Sequence, residues 1–224
     1  MPDHPVFARL YSLLAALGQQ GRLAGWRAAT LAEARGLLLV VGLGPGHDLA
    51  RLPAAVSEVV AVEPDRSMHR AARRRVATAT RPVHLVAAAG EHLPLPAKSV
   101  DAVLLAFVLC TVDEPETLLA EVDRVLRPDG TLHVLEHVRA PDGSRAARWQ
   151  DLVAPLWHGC ASGCHPNRRT RALIAAAGFD TSQLIDQPWP VVPIVSPYLR
   201  GVAKRKRDEA LCGQPPRPLA RPIC

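Results

Sequence analysis

The chain has 224 residues, 48% of them hydrophobic, which excludes a disordered protein and fits one large globular domain. Its formal charge of +6 comes mostly from scattered arginines, so we expect a solvated basic surface and no nucleic-acid partner. No apolar run reaches the roughly 20 residues that span a bilayer, and five cysteines give no disulfide framework in a chain of this length, so we expect no membrane insertion and a cytoplasmic location.

The first 36 residues are predicted to form a helical segment. Apolar residues recur at spacings of three and four from Phe7 to Leu17, and a second helical stretch follows from Trp26 to Ala34. The main domain is predicted to cover residues 37–204. Prolines and charges dominate residues 205–224, which are predicted to form a disordered tail.

Strands alternate with helices along the main domain. Apolar runs predict five strands, at 37–41, 56–62, 83–87, 100–105 and 131–138. Helices are predicted at 67–77, 115–126 and 168–177, and two last strands at 181–185 and 198–204. This alternation predicts an α/β fold with βαβ units and a mostly parallel sheet.

A glycine-rich loop, Gly42-Leu43-Gly44-Pro45-Gly46, directly follows the first buried strand. Glycines let the backbone turn tightly and approach a ligand closely. Glu63 ends the next strand, where an acid in nucleotide-binding sheets accepts hydrogen bonds from ribose hydroxyls. A dinucleotide loop would place its third glycine at position 47, which is His47 here. The shorter loop favours a ligand without phosphates, such as S-adenosylmethionine, and leaves an NAD-dependent oxidoreductase as an alternative.

These motifs, together with those at 90–96, 99–101 and 125–130, resemble the class I S-adenosylmethionine-dependent methyltransferases of the type 11-like kind. The segments 93–96, 108–112, 136–138, 155–158 and 163–164 are similar to a narrower group that contains alkyl thiol S-methyltransferases. The resemblance implies a Rossmann-like three-layer sandwich. Its sheet would have seven strands in the order 3-2-1-4-5-7-6, with the last strand antiparallel.

The resemblance also implies a cofactor site. Gly42, Gly44 and Gly46 would pack against the methionine and ribose of S-adenosylmethionine, and Glu63 would hold the ribose. The remaining expected cofactor residues lie further along the chain and are Gly90, Glu91, His92 and Phe107.

Two positions depart from the family pattern. Val40 stands where the family usually has an acid that orients the methionine end, and Ala89 stands where an acid often reads the adenine. Losing a hydrogen bond to a charged group costs about 1.5–3 kcal/mol. A non-catalytic homologue that binds the cofactor is therefore a second alternative.

The expected reaction is an in-line methyl transfer, in which the protein mainly supplies proximity and orientation. The acceptor is expected to be a small apolar molecule. The resemblance implies a thiol first and a quinone- or lipid-like carbon or oxygen second. Acceptor-side candidates are Phe107, Cys110, Thr111, Glu136 and His137. The candidate proton acceptors are His137 and His158.

A second group of candidate ligands lies late in the chain, at His158, Cys160, Cys164 and His165. Its spacing lacks the usual zinc pattern, so no metal is expected. We expect instead a loop over the acceptor pocket, with Trp157 as an apolar wall. The oligomeric state stays open.

Overall fold

A computed structural model describes residues 21–188 and 193–206. The strands are β1 (Gly36–Val41), β2 (Val56–Val62), β3 (Val83–Val86), β4 (Val100–Ala106), β5 (Leu126–His137), β6 (Phe179–Asp180), β7 (Ile185–Gln187) and β8 (Tyr198–Arg205). The α-helices are α1 (Arg22–Leu31), α2 (Arg66–Ala77), α3 (Pro115–Val125), α4 (Arg145–Cys160) and α5 (Thr170–Ala176). Two 3₁₀ helices cover His47–Arg51 and Pro193–Val195.

One sheet runs through the molecule in the order β3-β2-β1-β4-β5-β8-β6, with β7 also paired with β8. The first five strands pair in parallel, and β8 is antiparallel to β5. The predicted mostly parallel α/β sheet with an antiparallel last strand is confirmed.

Helices cover both faces of this sheet. Alternate residues of β1 face opposite sides. Leu39 and Val41 pack with α3 in one core cluster, whereas Leu38 and Val40 pack in a second cluster that includes Leu31 of α1. Because apolar layers lie on both faces, the molecule is a three-layer sandwich.

The edge strand differs from the prediction. We expected one strand at 181–185, but β6 and β7 flank a turn at those residues, and both pair antiparallel with β8. A Cβ on Gly201 of β8 would lie 2.5 Å from the Gln183 carbonyl oxygen, so the turn runs directly against β8. Two short strands thus occupy the position predicted for the sixth strand, and within the described residues the sheet has eight strands.

The helix α4 was not predicted. Ser144 accepts a hydrogen bond from the Ala147 amide at 3.0 Å and caps the helix start. Pro155 lies inside the helix. The loop predicted at residues 158–165, with Trp157 as its apolar wall, is therefore wrong for residues 157–160, which are helical.

Two terminal predictions extend beyond the structure. Helix α1 lies within the predicted helical segment, but residues 1–20 and 207–224 lie outside the described residues, and the division into three parts stays a prediction. Among the residues that the structure describes, no helix has both the length and the apolar character needed to cross a bilayer.

Candidate active site

A cavity of about 460 Å³ opens where β1, β2 and β4 end. Parallel α/β sheets bind ligands at this edge, and the volume lies within the roughly 300–1,000 Å³ typical of small-molecule pockets. The lining comes from five parts of the chain: Arg27, residues 41–45 with 47 and 48, residues 63–65 with 68, residues 89–91, and residues 106–108 with 111–113 and Ser162.

The glycine loop has one position that opens into the cavity. Gly42, Gly44 and Gly46 all have left-handed backbone angles, with φ between 55° and 83°. A Cβ on Gly44 would meet nothing within 4 Å, whereas one on Gly42 would lie 2.6 Å from Val108. The missing side chain of Gly44 therefore leaves space for a ligand, whereas that of Gly42 allows Val108 to pack closely against the loop. Gly46 does not line the cavity and instead begins the 3₁₀ helix.

Glu63 joins the glycine loop to the end of β2. Its side chain is buried, with the residue 5% exposed, and it lines the cavity. The carboxylate accepts hydrogen bonds from the Gly44 amide at 2.7 Å and the Asp65 amide at 2.9 Å. Burial raises the pKa of Glu63, and the two amide bonds oppose that rise. Glu63 therefore lies directly after β2 in the cavity wall, and its contact with a ribose stays a prediction.

The segment after β3 forms a second wall. Gly90 and Glu91 line the cavity, as does Ala89, while His92 lies outside the lining, where its amide closes a turn with the Ala89 carbonyl at 3.3 Å. A Cβ on Gly90 would lie 2.7 Å from Leu118, so this wall approaches the core too closely for a side chain.

A buried ion pair in the cavity was missed from the sequence. The Arg27 Nη1 lies 2.6 Å from both carboxylate oxygens of Asp48, and the two residues are 4% and 6% exposed. The Arg27 guanidinium also lies 5.1 Å from the centre of the Phe107 ring. The available signal was an arginine on the helix before β1 and an aspartate just after the glycine loop, but nothing in their spacing brings them together.

His47 lines the same end of the cavity. Burial and the nearby Arg75 and Arg27 charges lower its pKa to about 4. At neutral pH its imidazole is therefore uncharged.

Phe107 forms the wall beyond β4. It has a left-handed φ of 61°, which is uncommon for a bulky residue. Its ring packs on His137, with 4.7 Å between centroids, and lies edge-on to Tyr198. Phe107 and Thr111 line the cavity, whereas Cys110 lies outside the lining, and their contact with an acceptor stays a prediction.

Glu136 holds the loop that follows Phe107. It is fully buried, and its carboxylate accepts hydrogen bonds from the amides of Val108, Leu109 and Cys110 at 2.8, 2.9 and 3.3 Å. Burial raises the pKa of Glu136 to about 7. Glu136 faces this backbone and lies outside the cavity lining, so its role in the described structure is to position the loop.

The two candidate proton acceptors lie behind the cavity wall. His137 stacks on Phe107, and the His158 ring lies 4.5 Å from that of His165. Neither residue lines the cavity, and neither does Trp157. The late His/Cys group divides: Cys160 is exposed, whereas Cys164 is buried beside Cys110 and His137.

Known proteins share this chain's sequence and fold. Residues 39–142 match the "Methyltransferase domain" family. The chain is 35% identical over 173 residues to the thiol S-methyltransferase TMT1B of Rattus norvegicus, covering 74% of this chain and 69% of that protein. The chain belongs to the class I S-adenosylmethionine-dependent methyltransferases.

Other proteins similar to this methyltransferase are named as C-methyltransferases. It is 36% identical over 137 residues to the ubiquinone/menaquinone biosynthesis C-methyltransferase UbiE of Syntrophotalea carbinolica, covering 60% of this chain and 56% of that protein. The fold matches a geranyl diphosphate C-methyltransferase of Streptomyces coelicolor A3(2), solved with S-adenosyl-L-homocysteine, with a TM-score of 0.66 at 17% identity over 85% of this chain and 81% of that one. The family assignment replaces the NAD-dependent oxidoreductase alternative.

The cofactor of this methyltransferase is S-adenosylmethionine, and the cavity fits it. The cavity has open space beside Gly44 that a side chain at this position would fill, and the buried Glu63 carboxylate lines the same part of the cavity. The Arg27–Asp48 pair places one positive and one negative group in the same cavity. The cavity therefore offers a hydrogen-bond acceptor for the ribose hydroxyls, Glu63, and charged partners for the zwitterionic amino-acid end of the cofactor, Arg27 and Asp48.

Proposed function

We propose that this methyltransferase transfers its methyl group to a small apolar acceptor and that the acceptor is a thiol. The observation that carries the thiol is the 35% identity over 173 residues with a protein named a thiol S-methyltransferase. The apolar wall formed by Phe107, Val108 and Val112 supports an apolar acceptor. A cytoplasmic location and the absence of a nucleic-acid partner remain part of this proposal.

The adenosine half of the cofactor is proposed to lie along β1 and β2. The Glu63 carboxylate has lone pairs beyond the two amides it already binds, and these would accept hydrogen bonds from the ribose hydroxyls. Gly42, Gly44 and Gly46 would give the loop its shape. Gly90 and Glu91 would border the adenine, whereas His92 lies outside the cavity lining.

The methionine half is proposed to lie between Arg27 and Asp48. Its carboxylate would pair with the Arg27 guanidinium and its ammonium with the Asp48 carboxylate, which are charge-assisted contacts. Val40, where the family usually has an acid, is buried in the core and does not line the cavity. Asp48 would therefore supply the carboxylate that Val40 lacks.

When bound, S-adenosylmethionine supplies an activated methyl group for in-line displacement. The chain's contribution is orientation: Glu63 and the charged pair hold the two ends, and Phe107 with its fixed loop forms the acceptor side. Proton acceptance by His137 or His158 stays a prediction.

The test is transfer of a labelled methyl group to a panel of thiols, phenols and quinols. We expect label on the sulfur of apolar thiols. The second candidate, a quinone-like carbon acceptor, is favoured by the UbiE relative. Label found only on the carbon or oxygen of quinols or phenols would refute the thiol and support that candidate.

A further inference from the structure

Three potential metal ligands meet beside the cofactor cavity. They are Cys110 in the loop after β4, His137 at the end of β5, and Cys164 after α4. The Nδ1 of His137 lies 3.6 Å from each of the two sulfur atoms. All three ligand atoms lie within 4.8 Å of one another, and both cysteines are buried.

These separations match a tetrahedral zinc site. With Zn–S bonds of about 2.3 Å and Zn–N bonds of about 2.0–2.1 Å, tetrahedral angles place sulfur and nitrogen about 3.6 Å apart. Both sulfur–nitrogen distances in the structure have this value. Two cysteines and one histidine are also a known zinc ligand set that leaves the fourth position open.

The surrounding backbone holds the two cysteine loops together. The His165 amide donates to the Cys110 carbonyl at 2.6 Å. Arg168 donates to the carbonyls of Leu109 and Val112 at 2.5 and 2.6 Å, on either side of Cys110. This support fixes the ligands in the way that outer contacts orient metal ligands.

The cluster lies directly behind residues that line the cavity. Phe107 stacks on His137, Thr111 follows Cys110, and Ser162 lies two residues before Cys164. All three neighbours line the cavity. A fourth ligand of the cluster would therefore come from the acceptor side of the cavity.

We propose that Cys110, His137 and Cys164 bind a zinc ion whose fourth coordination position takes the acceptor thiol. The coordination of the acceptor thiol rests on the proposed function, whereas the binding of zinc by the three residues does not. Zinc prefers thiolate ligands, so a thiol would bind in its reactive, deprotonated form with its proton released to solvent. His137 then acts as a ligand through Nδ1 and not as a proton acceptor.

Metal analysis of the purified full chain, prepared with a thiol-free reductant, tests the site itself. We expect one zinc ion per chain, and zinc binding at least about tenfold weaker in Cys110→Ser and Cys164→Ser. Cys160→Ser is the matched control, because Cys160 is exposed at the end of α4, and it should bind zinc like the wild type. Wild-type protein that binds no zinc, or Cys110→Ser and Cys164→Ser variants that bind it unchanged, would overturn the site.

A second measurement on the wild type covers variants that fail to fold. Zinc added to metal-free protein should raise its Tm, because a ligand that binds the native state stabilises it. An unchanged Tm together with a Cys110–Cys164 disulfide, found by counting thiols after denaturation, would overturn the proposal.

Cobalt substitution tests the fourth position. Co²⁺ in the site should show thiolate-to-cobalt charge-transfer absorption, which should increase when ethanethiol is added without S-adenosylmethionine. Cobalt bands that do not respond to ethanethiol would overturn the fourth-position assignment and leave the three-ligand site standing. Failure of methyl transfer in the acceptor panel has no bearing on either readout, so the two proposals fail separately.

Discussion

Replacing Glu63 by alanine tests the cofactor orientation most sharply. The side chain is buried, lines the cavity, and bonds the Gly44 and Asp65 amides. Glu63→Ala removes the charged acceptor proposed for the ribose and leaves the Gly44 amide without its partner. A hydrogen bond to a charged group contributes about 1.5–3 kcal/mol, so two ribose bonds together contribute at least about 3 kcal/mol.

That loss corresponds to a roughly 100-fold higher Kd for S-adenosylmethionine, since each 1.4 kcal/mol is about tenfold. Isothermal titration calorimetry measures it directly. Glu63→Gln keeps one acceptor oxygen but turns an amide group toward a backbone N–H, so its Kd should fall between those of the wild type and Glu63→Ala.

Glu91→Ala is the matched control, because Glu91 is also an acid in the cavity wall. We expect its Kd to rise by less than about threefold, because its proposed place at the adenine border involves no charged hydrogen bond to the ribose. Equal losses of affinity in Glu63→Ala and Glu91→Ala would refute the ribose assignment.

Three further predictions concern charge and burial. Replacing both members of the buried pair, Arg27→Met with Asp48→Leu, avoids leaving an unpaired buried charge. Calorimetry of this double variant should show S-adenosylmethionine binding at least about tenfold weaker and adenosine binding unchanged. Equal losses of affinity for both ligands would contradict the methionine assignment. The pKa of His47 falls from 6.5 to about 4 on folding, so the unfolded chain binds more protons between these values and stability is lost as pH falls through them, by up to about 3 kcal/mol. Urea unfolding at pH 4 to 7 should show this loss reduced in His47→Gln, and an unchanged pH profile would contradict it. Glu136→Ala leaves the buried amides of residues 108–110 without their acceptor and should lower the unfolding free energy by about 3 kcal/mol or more, whereas a loss under about 1 kcal/mol would show that this carboxylate does not hold the loop.

The parallel part of the fold could be predicted closely. The strand at 56–62 is found with the predicted bounds, because its apolar run at 59–62 suits a central strand of a parallel sheet. Helix α3 is found at Pro115–Val125, where apolar residues recur on one face. In both cases the local pattern and the tertiary environment agree.

Helix α4 could not be predicted in the same way. Trp149, Leu152 and Leu156 are exposed, so its apolar residues do not mark its buried side. Pro155 also signals a break that the helix does not make. The sequence therefore predicts no helix over these residues, and Ser144 alone marks the helix start.

The residues of the site likewise fall into those that the sequence could predict and those that it could not. Glu63 and the glycine loop follow strands directly, so their placement depends only on strand order. The Arg27–Asp48 pair and the Cys110–His137–Cys164 cluster join residues from separate elements, and no local spacing reports such contacts.

A crystal structure with S-adenosyl-L-homocysteine tests the central claim most directly. We predict that its ribose hydroxyls lie within hydrogen-bonding distance of the Glu63 carboxylate and that its amino-acid end lies between Arg27 and Asp48. A bound product whose ribose lies away from Glu63, with the open side of Gly44 filled by protein side chains, would contradict the account.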